Sequence, residues 1–289
     1  MQTVQRGARV IVLRADAIGM CFGVRDALAV MAGVAAPGDV TVHGELVHNP
    51  DVQRDLDRRG FQRSPEDARA VPATPVVLVT AHGISERERR RLLHADKRLV
   101  DTTCPLVEKA HAAARALAGQ GRRIVVLGKR DHVEVRGVVE DHDRAIVVET
   151  EQDAVYFGIG HLGVVCQTTL SLATAERLLA AIRAANPGAD VAFADTICSP
   201  TKARQQALAD LLLRVDAAVV VGGRNSNNTQ KLVAAAAAAG VPALHVEGPA
   251  DVDAAFLRGR RVVGLTAGTS TLPQTVDAVE ARLRELAGA

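Results

Sequence analysis

The chain has 289 residues, longer than a typical single domain, so two or three compact units are expected. Its composition, 48% hydrophobic and 24% charged, is that of an ordinary globular protein. A net charge of +2, no Trp, one Tyr and five Phe leave neither the basic field nor the stacking surface of a nucleic-acid binder.

In chain order, the opening "MQTVQRGARVIVLRAD" does not read as a secretory leader, because Arg6, Arg9 and Arg14 interrupt any apolar core. A turn carrying Cys21 follows and leads into a helix-like stretch, "RADAIGMCFGVRDALAV". Short β-branched runs then recur, each closed by a polar or Gly-rich turn: "VVLVTAHG" (76–83), "IVVLGKRDH" (124–132), "GVVCQTTLS" (163–171), "AVVVGGRNSNN" (218–228) and "VVGLTAGTS" (262–270). Continuous rather than alternating apolar runs predict strands buried on both faces, as in parallel sheets. Helix-like stretches such as "TLSLATAERLLAAIRAA" and "TKARQQALADLLLRV" lie between them, so the fold class is α/β. The blandest run, "LVAAAAAAGVPAL", is too short to span a bilayer and reads as a helix entering a turn at Gly240 and Pro242. A cytoplasmic protein is expected. Ligands of open parallel sheets gather beyond the carboxyl ends of the strands, so the turns carrying His82, His132, Thr168, Ser226 and Ser270 are expected on functional edges.

Two stretches are near twins: "VDTTCPLVEKAH" around Cys104 and "ADTICSPTKARQ" around Cys198. Both read Asp-Thr-x-Cys before a helix. With Cys21, these cysteines are separated by 83 and 94 residues, which predicts three α/β units, taken as 1–103 with the N-terminal strand, 104–194 and 195–289. No Cys-x-x-Cys spacing occurs, which argues against a zinc ribbon or a local ferredoxin loop. A cysteine at a helix N-terminus favours thiolate, and three converging thiolates form a soft anionic socket for an iron–sulfur cluster or zinc. Cys166 lacks the motif and reads as strand packing. Each cysteine by itself is more often a small buried hydrophobe, a lone histidine more often a surface residue, and Ser226 to Asn228 could be a plain turn.

Histidines (His48, His82, His132), hydroxyls (Thr168, Ser226, Ser270), an amide (Asn228) and strand-end N–H groups together suit a phosphate or diphosphate. Neither a Walker A sequence nor a strand-linked Gly-x-Gly-x-x-Gly is present.

Taken together in order, "GMCFGV", "VHNP", "AHG", "DTTCP", "GKRDHVEV", "QTTLS", "DTIC" and "RNSNN…TAGTST" closely resemble the 4-hydroxy-3-methylbut-2-enyl diphosphate reductase family. The resemblance covers nearly the whole chain. It implies three pseudo-threefold-related α/β domains with mainly parallel sheets around a central [4Fe–4S] cluster, one per chain, ligated by Cys21, Cys104 and Cys198. It implies that His48, His82, His132, Ser226, Asn228 and Ser270 hold the substrate diphosphate, that Glu134 supplies a proton, and that Thr168 positions the substrate hydroxyl and relays that proton. The implied reaction is a two-electron reductive dehydroxylation giving isopentenyl and dimethylallyl diphosphate, the last step of the non-mevalonate isoprenoid pathway. The implied electron donor is a ferredoxin or flavodoxin, with no nucleic-acid or membrane partner.

Three positions depart from the family's usual pattern. Asn227 stands where a second Ser is common, and its amide can still bind phosphate oxygen. Cys166 replaces a frequent Ser, an oxidation liability if it lies near the active edge. Met20 replaces a frequent Phe. Two other readings stay open on the residues alone: another three-cysteine iron–sulfur dehydrative enzyme, quinolinate-synthase-like, or a non-catalytic iron–sulfur redox sensor, which would give Glu134 and Thr168 no role.

Overall fold

The computed structural model describes residues 10–67 and 69–288. Of the three arginines behind the leader reading, Arg6 and Arg9 lie outside the described residues. The first strand is β1 (Ile11–Arg14), followed by α1 (Phe22–Ala32). Then come β2 (Val40–His43), α2 (Pro50–Arg59), β3 (Gln62–Ser64), β4 (Val76–Val79), α3 (Glu86–His94) and β5 (Arg98–Asp101). The next set is α4 (Pro105–Gly119), β6 (Arg123–Leu127), α5 (Val133–Val139), β7 (Ile146–Val148), β8 (His161–Cys166), α6 (Leu172–Ala185) and β9 (Asp190–Ala194). The last is α7 (Ser199–Leu212), β10 (Ala217–Val221), α8 (Asn227–Ala238), β11 (Ala243–Val246), α9 (Ala254–Leu257), β12 (Val262–Ala267) and α10 (Pro273–Gly288).

The strands form three four-stranded sheets, ordered β3-β2-β4-β5, β7-β6-β8-β9 and β11-β10-β12-β1. Every pairing is parallel. The first two run second-first-third-fourth in chain order, and the third has the same spatial arrangement with β1, the earliest strand of the chain, in the fourth place; in each, the direction of winding reverses between the first and third strands. The first and third strands are the most buried: β2 and β4 are buried throughout, as is β10, while the fourth strands β5 and β9 are only partly covered. This is the burial expected when helices cover both faces of a sheet and its edges stay near solvent.

The third sheet corrects the expected grouping of the N-terminal strand with residues up to 103. Its fourth strand is β1, paired in register with β12, Ile11 opposite Val262 through Arg14 opposite Leu265. Pairing is decided by which edge offers free N–H and C=O groups, not by proximity along the chain, and β12 offers that edge.

The chain divides into two compact units. The first holds Met1–Cys21, His48–Pro50 and Lys202–Ala289, and so the third sheet; the second holds Phe22–Val47 and Asp51–Thr201, with the other two sheets. The core of the first unit includes Val219, Val221, Leu265, Val276 and Leu283. In the second, Val125, Leu127, Leu162 and Val164 meet Leu178 and Ile182 of α6. Cys166 belongs to that cluster at 2% exposure, which supports strand packing and removes the solvent access that an oxidation liability requires.

Candidate functional site

The shared topology sorts the chemistry-bearing residues. In the chain, His48 follows β2 and His82 follows β4; His132 and Glu134 follow β6 and Thr168 follows β8; Ser226, Asn227 and Asn228 follow β10 and Ser270 follows β12. All lie past the carboxyl ends of the first and third strands, on either side of the reversal in winding where open parallel sheets bind ligands. The three candidate cysteines follow the fourth strands instead: Cys21 after β1, Cys104 after β5 and Cys198 after β9.

The cysteines share one backbone arrangement. Each donates its N–H to the carbonyl two residues beyond the third strand of its own sheet: Cys21 to Thr269, Cys104 to Ala81 and Cys198 to Thr168, all at 3.0 Å. The Asp-Thr-x-Cys motif explains two of these turns. Asp101 Oδ1 accepts from the Thr103 N–H at 2.9 Å, and Asp195 Oδ1 from the Ile197 N–H at 3.1 Å, closing the turn locally. Burial pushes the Asp101 carboxyl up, but its bonds from Thr103 and Arg89 outweigh that and hold it below its ordinary value. The next residue clips onto the third strand: Thr102 Oγ1 donates to Val79 O and Thr196 Oγ1 to Cys166 O, both at 2.5 Å. A helix then begins, with Cys104 as N-cap and Pro105 behind it.

All three cysteines are half-buried, whereas Cys166 is buried. In the second unit, a Cβ on Gly23 would come within 2.5 Å of Cys104 Sγ, so only glycine leaves that sulfur its place. The Cys198 thiol donates to Thr201 Oγ1 at 3.1 Å. Half-exposed thiols at helix starts, one with a clearance that a methyl group would fill, fit a soft-metal cluster better than they fit core packing.

The second unit also brings Glu134 and Thr168 together, 2% and 4% exposed. The Thr168 N–H donates to Glu134 Oε1 at 2.5 Å and its hydroxyl to Oε2 at 3.0 Å, so one residue holds both carboxylate oxygens. His132 caps α5, its Nδ1 accepting the Glu134 N–H at 3.2 Å. A neutral His132 ring therefore carries its proton on Nε2. The rings of His82 and His132 lie edge to face, centroids 5.6 Å apart. Because Thr168 O receives the Cys198 N–H, the carboxylate, the hydroxyl and a cysteine turn form one bonded series.

The first unit gathers the others. Ser226 caps α8 and accepts from the Thr229 N–H. Asn228 Oδ1 accepts from the Thr269 N–H at 2.9 Å, while its buried Nδ2 has no hydrogen-bond partner among the described residues. Ser270 Oγ donates to His48 O at 2.9 Å, and Asn49 Nδ2 donates to Ser270 O at 2.7 Å. Asn227 is 6% exposed in the first turn of α8. A helix start with hydroxyl, amide and an unused amide donor is suited to an oxyanion.

Sequence reasoning missed several supporting residues. Gln167 bridges two turns, its N–H on Leu127 O and its Oε1 accepting from the Lys129 N–H. Asn49, Thr201 and Arg204 were likewise not singled out. Asn49 sits inside "VHNP" and Gln167 inside "QTTLS", so motif membership was the available signal. A separate cavity of about 310 Å³, lined by Arg69, Glu88, Arg91, Arg136 and Glu140 among others, contains none of the expected site residues.

The fold and these clusters define an α/β enzyme of three repeated parallel sheets, with its polar groups at the strand ends and three cysteines on equivalent turns. The chain matches the family model for LytB protein over residues 12–284. It is 36% identical over 283 residues to the 4-hydroxy-3-methylbut-2-enyl diphosphate reductase of Aromatoleum aromaticum, covering 95% of this chain and 90% of that protein. It is 34% identical over 290 residues to the reductase of the same name from Ralstonia nicotianae, covering 97% and 88%. Among solved structures, the E-1-hydroxy-2-methyl-but-2-enyl-4-diphosphate reductase from Plasmodium falciparum aligns with a TM-score of 0.85 at 27% identity, covering 93% of this chain and 86% of that one. The structure of (E)-4-hydroxy-3-methyl-but-2-enyl diphosphate reductase, the terminal enzyme of the non-mevalonate pathway, aligns with a TM-score of 0.66 at 28% identity, covering 96% and 99%. The chain belongs to the LytB protein family.

Proposed function

We infer that this chain is an enzyme with the activity its relatives are named for. It reduces 4-hydroxy-3-methylbut-2-enyl diphosphate to isopentenyl and dimethylallyl diphosphate at the end of the non-mevalonate pathway. The reaction removes an allylic hydroxyl as water, consuming two electrons and two protons, one proton for the departing oxygen and one for carbon.

We assign Cys21, Cys104 and Cys198 as the protein ligands of one [4Fe–4S] cluster. Their matching N–H bonds and the glycine clearance at Cys104 support this set. When bound, such a cluster supplies electrons one at a time and an iron, free of a protein ligand, that acts as a Lewis acid.

The chain's own residues do the rest. Glu134 is the proton donor and Thr168 its relay: the Thr168 hydroxyl, which donates to Glu134 Oε2 while the carboxylate is ionised, turns once Glu134 is protonated, accepting the carboxyl proton and donating its own to the substrate oxygen. Protonation through this pair turns a poor leaving group into water. Burial of both residues keeps bulk water from competing for that proton. Ser226, Asn227, Asn228, Ser270, His48, His82 and His132 bind the diphosphate. His132 donates from Nε2, and Asn228 from its unused Nδ2. The electron donor is a ferredoxin or flavodoxin, and the compartment is the cytoplasm, where the unbridged cysteines stay reduced.

The observation that carries this reading over a redox sensor is the buried Glu134–Thr168 pair, bonded through Thr168 O to the Cys198 turn. A sensor has no use for a water-excluded carboxylate beside a cluster ligand. Anaerobically purified protein, given a strong one-electron reductant and the allylic diphosphate, should form both products. Cluster loading without substrate consumption would refute the assignment.

A further inference from the structure

The three cysteine turns are alike in their backbone bonds but not in what holds them. Three and two residues before the cysteine, the Cys104 and Cys198 turns carry Asp-Thr: Asp101 and Thr102, Asp195 and Thr196. The Asp closes the turn and the Thr hydroxyl clips it to the third strand. At the same places the Cys21 turn has Ile18 and Gly19. Ile18 packs against the apolar core of the first unit, so both polar clamps are missing. Gly19 keeps only the backbone bond, its N–H on Ala267 O at 3.2 Å, and it sits at φ +69°, a conformation that a side chain would strain.

Arg204 occupies the gap. It lies on α7 at 7% exposure, within the same compact unit as Gly19 and Cys21. Its Nε and Nη2 both donate to Gly19 O, at 2.8 and 2.5 Å. A guanidinium fork on one carbonyl fixes direction as well as distance, and its hydrogen bonds are charge-assisted. The carbonyl it holds is two residues from the Cys21 sulfur's own backbone.

We propose that Arg204 is the positioning residue of Cys21, replacing for this turn the Asp-Thr clamp that the other two cysteine turns carry. Its task is to keep the Cys21 thiolate on the iron. The proposal rests on the reading of Cys21 as an iron ligand.

The test compares iron release from anaerobically reconstituted protein under a chelator, followed by loss of cluster absorption. Arg204→Met should lose iron roughly tenfold faster than the parent, the effect of forfeiting charge-assisted hydrogen bonds. Arg204→Lys, with a point charge but no fork, should fall between the two. Leu283→Ala, a fully buried core position of the same unit, should lower the melting temperature without hastening iron release. Parent-like release from Arg204→Met, or equal acceleration by Leu283→Ala, overturns the proposal. Cys21→Ser separates the two ideas. If it holds parental iron, the ligand reading itself fails; if it loses iron while Arg204→Met does not, only the positioning role falls.

Discussion

Replacing Glu134 with Gln removes the proton and changes almost nothing else. The side chain is 2% exposed, so no bulk water can stand in for it. Its two oxygens accept from the N–H and hydroxyl of Thr168. In the variant, the amide oxygen keeps the N–H bond and the amide NH2 donates to a Thr168 hydroxyl that turns to accept, so the local fold survives. The Cys198 N–H still reaches Thr168 O, and cluster loading is unaffected. Loss of a positioned general acid costs about 10² to 10⁴ in rate, or roughly 3 to 5 kcal/mol of barrier. Glu134→Gln should therefore show parental iron content, parental melting and near-parental substrate affinity, with single-turnover product formation down by at least about a hundredfold. A variant with full iron that turns over within a few-fold of the parent would refute Glu134 as the donor. A variant with depleted iron would refute the separation of proton delivery from cluster binding.

Other expectations rest on single contacts. Thr168→Ser should retain most turnover and Thr168→Val should lose it by about tenfold or more, because only the hydroxyl bonded to Glu134 differs in kind; equal activities would remove the relay. Gly23→Ala places a methyl group 2.5 Å from Cys104 Sγ and should cut cluster occupancy, with overpacking costing about 1–3 kcal/mol; parental iron and melting would contradict the clearance argument. Asn228→Asp keeps the acceptor for the Thr269 N–H but replaces the unused donor with an anion, so KM should rise at least about tenfold with kcat changed far less; a change in kcat alone would put Asn228 elsewhere in the cycle. Stability should fall on acidification in two stages. Burial pushes the His111 pKa below its ordinary 6.5, so the unfolded chain takes up that proton first and stability drops as pH falls below 6.5. Burial raises the Glu88 carboxyl, but bonds from His43 and Arg91 outweigh it and hold the pKa at about 2 against an ordinary 4.5, so its contribution is lost as pH falls from 4.5 toward 2. Denaturant midpoints of Glu88→Gln between pH 5 and 3 should accordingly slope less than those of the parent, and parallel slopes would contradict the pairing.

The repeated strand, turn and helix runs were legible from residue order, because apolar run length and turn chemistry are local properties. The cysteine turns were legible for the same reason: Asp-Thr-x-Cys encodes its own turn and helix start, and the structure shows Asp101 and Thr102 doing so. Glu134 and Thr168 could each be singled out by motif. That one holds both oxygens of the other depends on β6 pairing with β8, a contact across 34 residues of chain. The placement of β1 beside β12 was decided only in three dimensions, since a strand joins whichever edge leaves its hydrogen-bonding groups satisfied. Arg204 reads in sequence as an ordinary helix-face arginine. Its bond to Gly19, 185 residues away, exists because folding brings α7 and the Cys21 turn to the same buried carbonyl, and no local pattern encodes that meeting.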